Sequence, residues 1–298
     1  MATGATANEG YGPRSLAAVE TISRQSPRIA SMLRATLDMY VATATRAARL
    51  TARGWPAAFV IVVYTAIVFA AGFFLGHLGI VGGFLMGFVE CAVVSSFLAM
   101  VEQVANVGRL TRDDFTRSFG AYFWDVMGVL FLFWMISMAQ NAIAAALPPS
   151  GQLAVGLAVA IGEFVFLNAC PEIIYKRRLG SSLQGSLAVV SESAKFVQAN
   201  WIEWFVPNFA LAFLAILATP LFWAHGISGI AYLIPSLMNP LQAPILLAGP
   251  LLAGGLGLSL FLLPPFLLAL LYAMVFRGLL FDELSRGSRR LRAFRARF

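Results

Sequence analysis

Three carboxylic acids lie inside long apolar stretches of this sequence. Glu90 is within GIVGGFLMGFVECAVVSSFLAMVEQ, Asp125 is near the start of the next apolar stretch, and Glu163 is in the one after that. A charged carboxylate at the centre of a lipid bilayer costs at least about 2.5 kcal/mol. We therefore expect each of the three to face protein or water, or to be protonated, and we treat them as a candidate intramembrane polar site.

Two kinds of chemistry would use such a site. Ionisable side chains at bilayer depth are typical of proton and cation pathways, so the three carboxyls could couple transport. Protonated carboxyls can instead hydrogen-bond between helices and hold a bundle together. No lysine, arginine or histidine is predicted at the same depth to pair with them. We favour the second use, in which protonated carboxyls hold the helices together, and both interpretations stay open.

A row of glycines leads to Glu90 on the same predicted helix face. Gly79, Gly83 and Gly87 follow one another at intervals of four residues. Small residues at that spacing let a second helix approach closely. The pattern predicts a helix contact along this row, with the Glu90 side chain pointing into it.

The sequence has no residue pattern typical of a metal site or of an enzyme active site. Cys91 and Cys170 are in separate apolar stretches, and neither His77 nor His225 has cysteines or acids beside it, so no metal site is predicted. The sequence has no phosphate-binding glycine loop and no nucleophile set beside a base. We expect a protein that is not an enzyme and binds no cofactor.

The elements that carry these residues are predicted to be membrane-spanning helices. Of 298 residues, 59% are hydrophobic and 12% charged, with a mean hydropathy of +0.80, which is outside the usual range of soluble domains. A helix of about 20 residues crosses a bilayer. Pro264 and Pro265 should kink or break the last span. The prediction is an all-α polytopic membrane protein with a transmembrane domain at 55–276 and spans near 55–76, 79–102, 119–146, 153–174, 202–224 and 246–276.

The basic residues predict the orientation of these spans. All 21 Lys and Arg residues fall on one side of the six-span arrangement. Lysine and arginine accumulate in cytoplasmic connections. The N-terminal region, residues 1–54, and a basic tail, residues 277–298, are therefore both predicted to be cytoplasmic, in a bacterial inner membrane.

An amphipathic helix is predicted over residues 27–53, with Ser26 as its N-cap and Gly54 after its end. Apolar residues recur on one face and arginines on the others, the pattern of a helix lying at the membrane interface. A second amphipathic segment precedes Trp201 and Trp204, which are predicted interfacial anchors. The predicted contacts with lipid, including anionic headgroups, or with a partner are Ile29, Leu33, Leu37, Tyr40, Arg289, Arg290 and Arg292.

The second half of the chain carries a resemblance. It contains CPEIIYKRRLGSSLQGSLAVVSESAKFVQANWIEWFVPNFALAF and later YAMVFRGLLFDELSR. These segments resemble poorly characterised bacterial six-helix membrane proteins related to the membrane domain of glycerophosphoryl diester phosphodiesterases. Those proteins have a similar amphipathic segment, with serine, lysine and asparagine in the same order, before a tryptophan-rich span. The resemblance implies a fold and no activity, because the sequence has no phosphodiesterase catalytic domain.

Two functions from different classes follow as expectations. The first is a non-catalytic subunit or scaffold of a larger membrane assembly, with protein partners. No nucleic-acid partner is expected, because topology and anionic lipids account for the basic charge. The second is a small transporter or channel that uses Glu90, Asp125 and Glu163. The exterior side of the predicted topology has no charged residue with which to select a solute, which favours the first.

Overall fold

The part of the chain that the structure describes is built from helices. The computed structural model describes residues 13–179, 182–218 and 256–286, and these ranges contain no β-strand. The predicted all-α class is confirmed. The α-helices are α1 (Pro13–Arg53), α2 (Pro56–Leu75), α3 (Gly79–Val107), α4 (Arg112–Ser118), α5 (Phe123–Ala145), α6 (Pro149–Leu167), α7 (Cys170–Arg177), α8 (Leu183–Ala199), α9 (Trp201–Ala218) and α10 (Leu256–Ser285).

Three described stretches are long and apolar enough to cross a membrane, namely Pro56–Val107, Phe123–Ala145 and Pro149–Arg177. The first of them holds α2 and α3, which are joined by a short 3-10 turn and pack against each other as a hairpin. Ile80 and Phe59 are 84% and 67% exposed. Large apolar side chains that face outward along apolar helices are what a membrane environment requires. The end of the predicted fifth span, 219–224, and the start of the predicted sixth, 246–255, lie outside the described residues.

The core lies around the second half of α3, which contacts α2, α5, α7 and α10. Val94, Val101 and Val104 on α3 are completely buried, as are Leu271 and Val275 on α10. Residues 43–286 form one compact unit. The helix ends that carry most of the polar contacts described below meet in this core.

The end of α1 is held against α3. Leu50 contacts the α3 end so closely that a Cβ on Gly108 would lie 2.8 Å from its side chain, and a Cβ on Gly54 would lie 2.8 Å from Val104. Gly54 therefore permits a close approach as well as following the helix end, as predicted. The helix itself differs from the prediction, because it begins at Pro13 and continues without a break past Ser26.

The second amphipathic segment forms α8, and its predicted apolar stripe is buried only in its second half, at Ala194 and Val197. Leu183 and Leu187, from the predicted apolar stripe, are 62% and 51% exposed, whereas Ser186 and Ser193 are buried. The reason is close packing: a Cβ on Gly128 of α5 would lie 1.9 Å from the Ser186 hydroxyl. Small polar residues therefore let α8 approach α5 closely.

The last helix extends beyond the predicted end of the last span. α10 has no break at Pro264 and Pro265, where a kink or a break was predicted, and it continues to Ser285. Arg277 is only 5% exposed, so the chain does not leave the fold at residue 277 as predicted. The predicted contact residues of the tail lie outside the described part, namely Arg289, Arg290 and Arg292.

Candidate functional site

The three carboxylic acids singled out from the sequence are on three different helices. Glu90 is on α3, Asp125 is in the first turn of α5, and Glu163 is on α6. All three side chains are half-buried. No salt bridge or hydrogen bond joins any two of these carboxyls in the described ranges. The three residues of the predicted polar site thus lie on separate helices and make no direct bond to one another in the described ranges.

The predicted glycine contact is absent from the described part of the chain. A Cβ added at Gly79, Gly83 or Gly87 would meet no atom within 4 Å. Close approach occurs at Gly82 instead, where a Cβ would lie 1.8 Å from the Leu75 carbonyl oxygen at the end of α2. One residue along a helix is a rotation of about 100°. The hairpin therefore packs through Gly82 and turns the predicted row outward.

The strongest polar cluster surrounds Arg277 of α10. Its Nε donates to Oε1 of Glu172 at 2.8 Å and its Nη2 donates to Oε2 at 3.0 Å. This bidentate pairing is the strongest geometry available to an arginine and a carboxylate. Glu172 has no exposed surface, so the pair is removed from solvent and holds α7 to α10.

The remaining donors of Arg277 are also satisfied. Its Nη1 donates to the side-chain oxygens of Asn168, at 3.2 Å, and of Asn208, while Nη2 donates to the Asn168 carbonyl. The guanidinium lies 4.8 Å from the centre of the Trp204 ring. The Trp204 indole donates to Asn168 Oδ1 at 2.8 Å. All five guanidinium hydrogens are engaged, so the cluster fastens α9 and α10 to the junction of α6 and α7.

The local sequence explains why this junction receives so many donors. Asn168 follows the last residue of α6 and Ala169 precedes α7, so the helix is interrupted and carbonyl groups there lose their intrahelical partners. Arg277 bonds to one of these carbonyls, and the Ser193 hydroxyl of α8 accepts from the Ala169 amide at 3.2 Å. Side chains from two other helices complete the backbone hydrogen bonding at the break.

Three consecutive basic residues at the end of α7 reach three different helices. Lys176 pairs with Asp282 of α10 at 2.8 Å, and Arg177 pairs with Glu192 of α8. Arg178 lies 3.5 Å from Glu102 of α3. The Tyr122 hydroxyl donates to that same Glu102 carboxylate and accepts from Arg178 at 3.1 Å. Lys176, Arg177 and Arg178 therefore link the end of α7 to three helices, namely α10, α8 and α3.

The short helix α4 begins with a separate polar contact. The Thr111 hydroxyl and the Thr111 amide donate to Asp114 Oδ2 at 2.7 Å and 2.8 Å. These hydrogen bonds stabilise the ionised carboxyl and lower the pKa of Asp114. The pair forms a capping box that fixes the start of α4.

The cluster around Arg277 was not predicted from the sequence. Trp204 was expected at the membrane interface and is completely buried, while Trp201 is 56% exposed and is compatible with an anchor. Arg277 was predicted to begin a basic cytoplasmic tail. One signal was present: the residues after Arg277 are GLLF, an apolar run that continues the helix beyond the arginine.

The described ranges contain no group of three His, Cys, Asp or Glu side chains placed to hold a metal ion. Both cysteines, Cys91 and Cys170, are free and buried, so they behave as small apolar residues. The arrangement of Arg277, Glu172, Asn168, Asn208 and Trp204 is suited to holding helices at fixed positions.

Comparisons with known proteins give no relative: no family model, no curated protein and no solved structure matches this chain. The similarity of the second half to six-helix membrane proteins stays an expectation from the residues quoted above.

Proposed function

We propose that this chain is a non-catalytic subunit or scaffold of a larger membrane assembly, with six membrane spans and both termini in the cytoplasm of a bacterium. The observation that carries the proposal is the saturation of Arg277. Its five donors and the Glu172 carboxylate are all used within the bundle. A buried charge that is completely paired in this way stabilises one arrangement of helices. It leaves no guanidinium donor free to bind a solute.

The six-span topology is supported by where the polar contacts lie along the helices. The partners are near the end of α3, the end of α7, the start of α9 and the end of α10. In an alternating bundle these are the ends on one side of the membrane. They are also the ends beside the basic connections, the side that the distribution of Lys and Arg assigns to the cytoplasm.

Reporter fusions test the topology. We expect a reporter after Phe298 to be cytoplasmic and one inserted near Ser150, between α5 and α6, to be external. A cytoplasmic signal at both positions would contradict an odd number of crossings between them, and with it the six-span proposal.

The outward glycine row of α3 is the surface to which a protein partner would bind. Because a Cβ at Gly87 would meet no atom within 4 Å, a larger side chain there should not disturb the fold of the chain itself. Gly87→Leu should instead obstruct a second backbone that approaches this face. The matched control is Gly156→Leu on α6, where a Cβ also meets open space.

The experiment is recovery of the native complex from membranes for both leucine variants. We expect Gly87→Leu to lose partners and Gly156→Leu to keep them, with both chains folded. Equal recovery in the two variants would contradict a contact at this row.

The alternative transport function is tested by the carboxyls. Glu163, Glu90 and Asp125 have no ion-pair partner in the described ranges, a property that suits protonated groups and also suits a proton pathway. Glu90→Gln preserves shape but cannot release a proton. Proton or cation flux in liposomes that is present in the native chain and lost in Glu90→Gln would overturn the scaffold proposal in favour of a transporter.

A further inference from the structure

The part of α1 before Thr43 has an apolar face that the described chain leaves uncovered. Leu33 and Leu37 are one helical turn apart, and they are 61% and 60% exposed. The face differs from the following turns of the same helix, where Ala47 and Thr51 are buried. Ile29, predicted to continue the stripe, has its side chain outside the described part.

The other faces of α1 are basic and exposed. Between residues 33 and 53 the helix has four arginines and a single acid, Asp38. Leucines on one face and arginines on the remainder are the composition of helices that lie in a membrane surface and bind anionic lipids. The arginines are Arg34, Arg46, Arg49 and Arg53, and all four are exposed.

The connection to α2 places the end of α1 near the membrane surface. α1 ends at Arg53, and α2, which begins a candidate span, starts at Pro56. The last turn of α1 is fixed by the close contacts of Gly54 and Leu50 with the end of α3. Protein contacts therefore hold the C-terminal turns, whereas the side chains of Leu33 and Leu37 are exposed.

We propose that the segment of α1 around Leu33 and Leu37 binds the anionic phospholipid surface beside the first span. The leucines enter the boundary between headgroups and acyl chains, and the arginines attract the phosphate groups. This partner class follows from the charge of the helix and from its short tether to a span. The inference rests on the membrane embedding proposed above and is independent of the scaffold role.

The test uses the full chain in nanodiscs of phosphatidylcholine alone or of phosphatidylcholine mixed with phosphatidylglycerol. Hydrogen exchange of residues 33–42 is followed by mass spectrometry. We expect slower exchange in the anionic discs, and a smaller difference at high salt because screening weakens the attraction. Equal exchange in the two lipids would overturn the proposal.

Two variants with the same added charge separate the apolar face from the rest of the helix. Ala42 is exposed and, nine residues after Leu33, is on the opposite side at about 100° per residue. Leu33→Asp should reduce the ratio of docked to undocked helix by about tenfold or more, whereas Ala42→Asp should reduce it much less. Equal losses in the two variants would overturn the proposal.

Leu33→Ala keeps the helix propensity and removes the apolar area, so it should also release the segment. Retained protection in Leu33→Ala would count against lipid insertion of the leucine. A chain that does not enter nanodiscs at all would overturn the membrane embedding together with this inference, a result distinct from a chain that enters but does not dock α1.

Discussion

The two halves of α3 differ in what surrounds them. From Gly79 to Glu90 most side chains are exposed or half-buried, and the glycine row meets open space. From Cys91 to Ala105 nearly every side chain is buried, and the polar residues have partners: Ser95 and Ser96 accept from the backbone amides of Tyr122 and Gly120 at 2.7 Å and 3.3 Å. The same helix is therefore a packed core at one end and an outer surface at the other.

The comparison shows that a residue type does not by itself identify a contact. Acids in the core, such as Glu172 on α7, are paired within the chain, whereas Glu90 in the outer half of α3 has no ion pair in the described ranges. Glycines in close contact, such as Gly278, coexist with glycines that touch nothing, such as Gly83. Substitutions matched between the two regions should therefore have unequal effects.

The largest effect is expected from Arg277→Met. Removing the guanidinium leaves Glu172 buried without its counter-charge, which costs about 3–5 kcal/mol when one partner of a buried pair is deleted. We expect a large loss of thermal stability, measured as a fall in the temperature at which the monodisperse fraction is lost in detergent. Arg286→Met is the matched control, because Arg286 is exposed and substitutions of that kind change stability by about 0.5 kcal/mol or less.

A double substitution distinguishes the charge from the packing around it. Adding Glu172→Gln to Arg277→Met removes the unpaired carboxylate and should recover part of the lost stability. If the double variant were as unstable as the two single losses combined, the two side chains would be acting independently, contrary to the pairing.

A smaller but clear effect is expected at Gly278. A Cβ there would lie 2.2 Å from the Tyr175 hydroxyl, in a completely enclosed position, and overpacking of this kind costs about 1–3 kcal/mol. Gly278→Ala should lower thermal stability. Gly83→Ala, which adds the same methyl group to the outer region, should be neutral or stabilise α3 by about 0.5–1 kcal/mol.

The Tyr175 hydroxyl provides the rescue for this comparison. It is buried and finds no hydrogen-bond partner in the described ranges. Tyr175→Phe removes the atom that meets the new methyl group, so it should restore most of the stability of Gly278→Ala. A double variant no more stable than Gly278→Ala would place the clash elsewhere.

The smallest effect is expected at Asp114, which lies outside both regions of α3. Its pKa is lowered by the hydrogen bonds from Thr111, so the ionised form is preferred in the folded state. The stabilisation of α4 is therefore complete above the ordinary pKa of aspartate, about 3.9, and is lost as pH falls through the lowered value. The protection of the α4 amides, taken as the ratio of the intrinsic exchange rate at each pH to the observed rate, should fall at acid pH in the native chain, and Asp114→Ala should have the low protection at neutral pH as well. An unchanged Asp114→Ala would contradict the cap.

Much of the helical framework could be predicted because it depends on local patterns. Apolar runs, Gly54 after α1 and the interruption between α2 and α3 are properties of neighbouring residues. The rotation of a packed helix is not local. Gly82, rather than Gly83, meets α2, because close packing selects between adjacent glycines and hydropathy does not. Ser186 meets α5 closely, and hydropathy gives no signal for a polar contact of this kind.

The cluster at Arg277 could not be predicted from local sequence patterns, for a different reason. Glu172 and Arg277 each follow an apolar run and are ordinary signals for the end of a span. Their pairing depends on which spans become neighbours in the bundle. Trp204 has an apolar body and one donor, so it suits an interface and also suits a buried site that offers Asn168 as acceptor. Only the tertiary arrangement decides between these.

The separation of Glu172 and Arg277 along the chain has a consequence for biosynthesis. The two residues are 105 positions apart, and a ribosome that adds about 5–20 residues each second needs roughly 5–20 s to cover that distance. During this interval α7 is already made while its guanidinium partner is not. The carboxyl of Glu172 needs another partner or water until then, so the contact between α7 and α10 can form only after α10 has been made.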